Sequence, residues 1–258
     1  MIAITFALPA ESSALISRLR EKKRALCNGE KIVYGKIDNG AGGSRATKTG
    51  KPERVDEPGG ESINRSVAIF HTGVGRKSCE HKIDNLLRGE HPDFLISSGF
   101  AGSAHEDLQV GDLVLAENFS DPELLSMARQ LLAPRNLRVI KLFSSTSIVD
   151  SVAERNEIAG AYGADAVDME TETIAQACAA RGIRMLSLRV ISDSVHEPFP
   201  APSRILFDIE RQRTDFAKFI PYLIRHPAAV WHLIRFSRQI SRAREALTDA
   251  IVALVRGL

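Results

Sequence analysis

Short apolar runs that stop abruptly at glycine, proline, serine or an acid, each followed by a helical pattern, constrain this chain more than any other feature. Residues 2–7 end before Pro9-Ala10-Glu11 or nearly so, residues 67–70 before His71-Thr72-Gly73-Val74-Gly75, and residues 93–97 before Ser98-Gly99-Phe100-Ala101-Gly102. Residues 184–191 end before Ser192-Asp193. Short bounded runs of this kind read as buried strands. Further strands are expected at 31–37, 112–116, 138–143 and 166–169, and helices over 10–24, from Gly75 to Leu87, and over 122–132, 151–162 and 171–181. From Ile205 the chain reads as mostly helical, with a break at Pro227. Strands alternating with helices of this length specify an α/β fold with a largely parallel sheet.

With 258 residues, the chain makes one large domain or two small ones. A hydrophobic share of 44% lets it bury a core without staples. Cys27, Cys79 and Cys178 are odd in number, widely spaced and free of C-x-x-C pairing. That excludes a disulfide scaffold or cysteine zinc site and points to a reducing compartment. The N-terminus has no basic region, and its apolar run stops at Pro9, so it does not read as a signal peptide. Without a long uncharged apolar stretch, a cytoplasmic location is expected. Residues 38–65 are rich in Gly, Lys, Arg, Glu and Pro and should form a flexible insertion.

In parallel sheets, chemistry gathers beyond the carboxyl ends of the strands. Glu11, Glu170 and Asp193 all occupy such positions. Each also has a plainer reading, as a first-turn acid, as charge complementing a helix dipole, or as a cap. Their shared placement favours a site. The turns holding Gly73 and Gly99 let backbone approach a ligand and aim amides at anionic or hydroxylated groups. Thr72-Gly73-Val74-Gly75 is no dinucleotide fingerprint, and Arg76 interrupts the Gly-Lys-Ser order of a phosphate loop. The seven scattered histidines lack metal-ligand spacing, and no nucleophile elbow is present, so neither a metal nor a serine hydrolase is expected.

Ala7-Leu8-Pro9-Ala10-Glu11, Thr72-Gly73-Val74-Gly75, Ser98-Gly99-Phe100-Ala101-Gly102, Val110-Gly111-Asp112, Val167-Asp168-Met169-Glu170 and Arg189-Val190-Ile191-Ser192-Asp193 resemble, in order, the motifs of methylthioadenosine/S-adenosylhomocysteine nucleosidases. The resemblance covers about half of the chain and places it near the nucleoside phosphorylase and nucleosidase superfamily. It implies a single-domain three-layer α/β/α fold with a mixed, largely parallel central sheet. The implied activity is hydrolysis of the N-glycosidic bond of a 5′-substituted adenosine, releasing adenine, with no cofactor and with a homodimer or larger oligomer. By position, Asp193 would be the general acid at N7, and Ser192 would place it. Glu170 would bond the ribose 2′-hydroxyl, Met169 would pack on the sugar, Glu11 would activate water, and Thr72 would line the ribose and nucleophile pocket beside Gly73 and Gly99. The aromatic base platform of the family falls at Ile148 and Val149, where this chain has no aromatic. The phosphorylase signature Gly-Asp-Pro-x-Arg is absent, which favours water; Arg76 and Arg189 are the candidate phosphate contacts of a phosphorylase alternative, with phosphate as co-substrate. The stretch after Asn118 is shorter than in the methylthioadenosine enzymes, implying a more open pocket.

From Arg211 onward, nine basic and three acidic residues leave the tail at +6 in a chain of net +2. The expected organisation is a catalytic unit over 1–210 and a basic amphipathic helical extension over 211–258 packed on it. Its two readings are a helix pair with a solvated basic face and a membrane-surface patch. With Glu197-Pro198-Phe199-Pro200, the tail also resembles the hopanoid-associated branch, which removes adenine from adenosylhopane. A non-catalytic nucleoside-binding protein is a further alternative, and nucleic acid is not an expected partner.

Overall fold

The computed structural model describes residues 1–38, 65–149, 151–194, 207–208, 213–214 and 227–258. The insertion expected over 38–65, Glu197-Pro198-Phe199-Pro200 and much of the apolar tail lie outside the described residues.

β1 (Ile2–Phe6) is buried at all five positions, and such a strand is stable only with a neighbour on each side and cover on each face. It pairs in parallel with β4 (Arg65–His71) and with β5 (Phe94–Ser103), and β5 pairs in parallel with β10 (Arg184–Asp193). Antiparallel strands β3 (Glu30–Ile37) and β2 (Arg20–Cys27) continue one flank, while β6 (Leu113–Ala116) and β7 (Leu137–Ile140) continue the other. β8 (Leu142–Ser144) and β9 (Ala166–Asp168) pair with each other, and β9 also runs antiparallel to the end of β5. A separate two-stranded pair joins β11 (Phe207–Asp208) to β12 (Arg213–Thr214), where a mostly helical tail was expected. The sheet is therefore mixed around a parallel centre, with α1 (Pro9–Arg18), α2 (Arg76–Gly89), α3 (Pro122–Leu132), α4 (Val152–Tyr162), α5 (Thr171–Ala179) and α6 (Pro227–Gly257) about it.

Alternation along the strands sorts the layers. Ile2, Ile4 and Phe6 join Ile69, Ile96, Leu186 and Leu188 in a core shared with Leu15 of α1, Leu132 of α3, and Leu247, Ile251 and Leu254 of α6. On the opposite face, Ala3, Phe70 and Leu95 pack with Ile83 and Leu86 of α2 and Ile174 of α5. Among its described side chains, α6 is thus part of the main core, and Arg18 of α1 forms ion pairs with its Glu245 and Asp249.

Three sequence expectations are corrected here. The helix over 10–24 stops at Arg18, because Arg20–Cys27 forms an exposed, charged edge strand that turns into β3 at Asn28-Gly29, both at positive φ. Ser98-Gly99-Phe100-Ala101-Gly102 is not a turn, since β5 runs on to Ser103 with Gly99 to Ala101 paired to β10. Residues 138–143 divide into β7 and β8, which pair with different neighbours.

Because Ile251 is fully buried in the shared core, Ile251→Ala should lower unfolding free energy by about 2–5 kcal/mol. Leu26→Ala, on the exposed edge, should change it by about 0.5 kcal/mol at most. Urea denaturation of both variants checks this; equal, small effects would mean that α6 contributes no core.

Candidate active site

The parallel strands β4, β1, β5 and β10 end side by side, and the expected site residues meet there. After β4, Thr72 donates its amide to Phe6 O at 2.9 Å, and its buried hydroxyl lies 3.3 Å from Phe6 O and 3.2 Å from Gly73 O. Gly73 donates to Ala7 O at 3.0 Å. These bonds tie the Gly-rich loop to the segment that enters α1.

Glu11 stands in the first turn of α1, 6% exposed. Its Oε2 accepts from Leu8 N at 2.8 Å, reaching back across the helix start, and its Oε1 accepts from Phe100 N at 3.1 Å. Glu11 is thus both a first-turn acid of α1 and a carboxyl group held against the strand end of β5. Burial raises the Glu11 pKa, against the lowering effect of the two amides and of Arg189. Gly99, at φ +146°, makes this approach feasible: a Cβ there would lie 3.0 Å from Glu11 Oε1.

Glu170 occupies the N-cap position of α5, but its side chain does not cap that helix. Instead Oε1 accepts from Gly75 N at 2.9 Å, so the loop after β4 and the start of α5 share one carboxyl group. Burial first, and then the neighbouring Asp168, push its pKa up to about 8. Asp168 is the more firmly bound acid. It accepts from Arg189 Nε at 3.1 Å, from Ser144 Oγ at 2.9 Å and from the Thr171 hydroxyl. Arg189 also donates to Ser97 Oγ at 2.9 Å and Thr171 Oγ1 at 2.7 Å. Its Nε and one terminal nitrogen are thus committed inside the protein, while its other terminal nitrogen lies beside Gly99; Arg76, the other candidate phosphate contact, is exposed at the start of α2. Sequence reasoning quoted Asp168 only within a motif and missed its clamp; the neighbouring Asp168 and Thr171, three residues apart at a helix start, were the available signal.

Asp193 closes β10. Ser192 Oγ lies 2.6 Å from Asp193 Oδ1, and Oδ2 pairs with Arg155 of α4. Arg155 was not anticipated at all: nothing in the sequence marks one arginine of a helix as buried. Val149, half-buried like Ile148 and Met169, accepts from Arg155 at 3.3 Å. The structure therefore gathers the residues into two groups. Glu11 and Arg189 lie against Gly99, with Glu170 bonded to Gly75 of the loop that holds Thr72 and Gly73, whereas Asp193 and Arg155 lie against Gly102, with Ser192 and Val149 bonded to them. Three residues of extended strand separate those glycines, roughly 10 Å at ~3.3 Å per residue. Cavities of about 240 and 540 Å³ lie elsewhere, the first behind Ser144 and Glu172, the second between Arg88 and Arg181. Buried, convergent acids rather than volume locate the site. Among the described residues, no group of three His, Cys, Asp or Glu is disposed to hold a metal ion.

Comparison with known proteins gives the family and the fold. The family model described as the phosphorylase superfamily matches residues 60–225. A 5′-methylthioadenosine/S-adenosylhomocysteine nucleosidase of Staphylococcus aureus is 26% identical over 158 residues, which are 50% of this chain and 69% of the relative. Among solved structures, a nucleosidase from Borrelia burgdorferi bound to adenine aligns with a TM-score of 0.70 at 17% identity, covering 100% of both chains. Futalosine hydrolase of Helicobacter pylori aligns with a TM-score of 0.68 at 14% identity, covering 100% of this chain and 97% of its own. At these identities the structural likeness establishes the fold.

The raised acids set a pH dependence of stability. The unfolded chain loses a glutamate proton near about pH 4.3, whereas folded Glu170 keeps its proton up to about pH 8. Stability from this group is full below the unfolded value and is lost as pH rises through the folded one. Glu170→Gln removes that loss. Urea unfolding at about pH 5 and about pH 9 should show the variant gaining on the wild type at the higher pH. A constant difference would contradict a buried, ionisable Glu170.

Proposed function

Because the chain belongs to the phosphorylase superfamily, we propose that it is a purine nucleosidase that hydrolyses the N-glycosidic bond of a 5′-substituted adenosine and releases adenine. The observation that carries this reading is the gathering of buried acids at the ends of the parallel strands, with Glu11 against Gly99 and Asp193 against Gly102 of the same strand. Glu11 and Glu170 take the sugar end, and Asp193 takes the base end.

Departure of the base leaves positive charge on the ribose, and a carboxylate beside it stabilises that charge more than the neutral ground state. Glu170 suits this role. Burial makes its charged form costly, so the cation developing beside it is what favours ionisation, with the proton passing to solvent. Glu11, also raised, is a stronger base than an ordinary carboxylate and therefore better able to accept a proton from water. Asp193, a carboxylate in its pair with Arg155, takes up a proton from solvent as the nucleoside binds and passes it to N7 as the bond breaks, with Ser192 holding one oxygen. Thr72 and Gly73 bound the sugar, Met169 packs on it, and Ile148 and Val149 line the base. Acid at the leaving group and base at water is the division of labour of glycoside hydrolysis.

Water is favoured over phosphate because the Gly-Asp-Pro-x-Arg signature is absent and because Arg189 gives Nε and one terminal nitrogen to Asp168, Ser97 and Thr171. Exposed Arg235, Arg238 and Arg242 of α6 give the tail a basic stripe at helical spacing. That stripe supports a lipid-linked 5′ substituent held near a membrane surface as the second reading.

Adenine release from methylthioadenosine, S-adenosylhomocysteine, adenosine and a 5′-alkylated adenosine, followed by chromatography, tests the proposal. Glu11→Gln and Asp193→Asn should each lower kcat by about 10²–10⁴-fold. Undiminished turnover in both variants would remove these acids from the chemistry.

A further inference from the structure

Arg155 carries no role in the chemistry above, yet its burial is costly. It stands one turn into α4, is 5% exposed, and is the buried side chain of an otherwise solvated helix. A guanidinium placed there must be paired and fully bonded, and an apolar side chain would fill the space at no such cost. Its bonds all converge on the base end of the site. One terminal nitrogen donates to Ser103 O at 2.8 Å, the last residue of β5. The other donates to Val149 O at 3.3 Å and to Asp193 Oδ2 at the end of β10. The start of α4 is fixed by Ser151, whose hydroxyl accepts from Glu154 N at 3.2 Å, so the arginine projects from an anchored turn.

The space for this pair is held open by Gly102. A Cβ there would come within 3.1 Å of both an Arg155 terminal nitrogen and Asp193 Oδ2. Ser192 lies against the other carboxylate oxygen, at 2.6 Å. Each Asp193 oxygen is therefore gripped by a donor from a different element, which fixes the plane of the carboxyl group as well as its place.

We propose that Arg155 is a positioning residue for Asp193. It sets the orientation of the carboxyl group and, through Val149 O, binds the base-lining segment before α4 to that group, so that lining and acid keep one geometry. The inference rests on the nucleosidase reading and adds to it a residue that acts through another.

A double-mutant cycle tests it. Arg155→Met alone leaves a buried carboxylate unpaired and can unfold the protein. Arg155→Lys, which keeps the charge, and the double variant Arg155→Met with Asp193→Asn, which removes both charges, are therefore measured beside it, with thermal unfolding of each. With Asp193 present, Arg155→Met should lower kcat for adenine release about 10²-fold, the cost of a misplaced reacting group, with KM changed by no more than about threefold. In the Asp193→Asn background, the same change should alter kcat by less than about threefold, and Arg155→Lys should recover about tenfold of the loss. Calorimetric adenine affinities over the same cycle read the base end without turnover and should be equally non-additive. Equal losses in both backgrounds would make Arg155 merely structural and overturn the inference alone. A wild type that binds adenine without releasing it would overturn the nucleosidase reading and leave the affinity cycle to decide the inference. A wild type that does neither would overturn the base-end assignment and the inference with it.

Discussion

Arg189 is 3% exposed within the sheet, and the layout of the cleft follows from how its charge is neutralised. A buried guanidinium is tolerable only with a close counter-charge and its remaining N–H groups bonded. Asp168 at the end of β9 supplies the first, and Ser97 of β5 and Thr171 of α5 supply the second. One side chain thereby locks β5, β9, β10 and the start of α5 together. Since Asp168 takes most of its charge, the other acids nearby feel only part of its field. Burial then dominates at Glu11 and Glu170, and both pKa values rise. The same pair that steadies the sheet leaves two carboxyl groups costly to ionise until a cation appears beside them.

Backbone amides complete the arrangement. Leu8, Phe100 and Gly75 each present an N–H to an acid, so these carboxyl groups are held by the main chain rather than by mobile side chains. Close approach to β5 is eased by glycine at two places. Gly99 admits Glu11, and Gly102 admits the Arg155–Asp193 pair. Both ends of the site are thus registered on one strand, which is a rigid support for chemistry that needs fixed distances.

The strand-and-helix order of the centre was legible because burial on both faces leaves short, bounded apolar runs, as in Ile2–Phe6. Glu11, Glu170 and Asp193 were legible by their positions after such runs. Arg20–Arg24 reads as helix in the sequence because its charged pattern carries no strand periodicity; tertiary pairing with β3 decides its state. The Asn28-Gly29 dipeptide was the overlooked sign of that hairpin. Ser98–Gly102 was misread as a turn because two glycines and a serine imitate one, although here they clear space along a strand. The Arg155–Asp193 and Arg189–Asp168 contacts span 38 and 21 residues, and no local pattern encodes either arginine's partner.

The central claim is that buried carboxyl groups at the end of this sheet direct water at the ribose. Single-turnover cleavage of methylthioadenosine in ¹⁸O-labelled water, without phosphate, tests it most directly. Hydrolysis places one labelled oxygen in the released sugar and none in adenine. Cleavage that requires phosphate and yields an unlabelled sugar phosphate would contradict it.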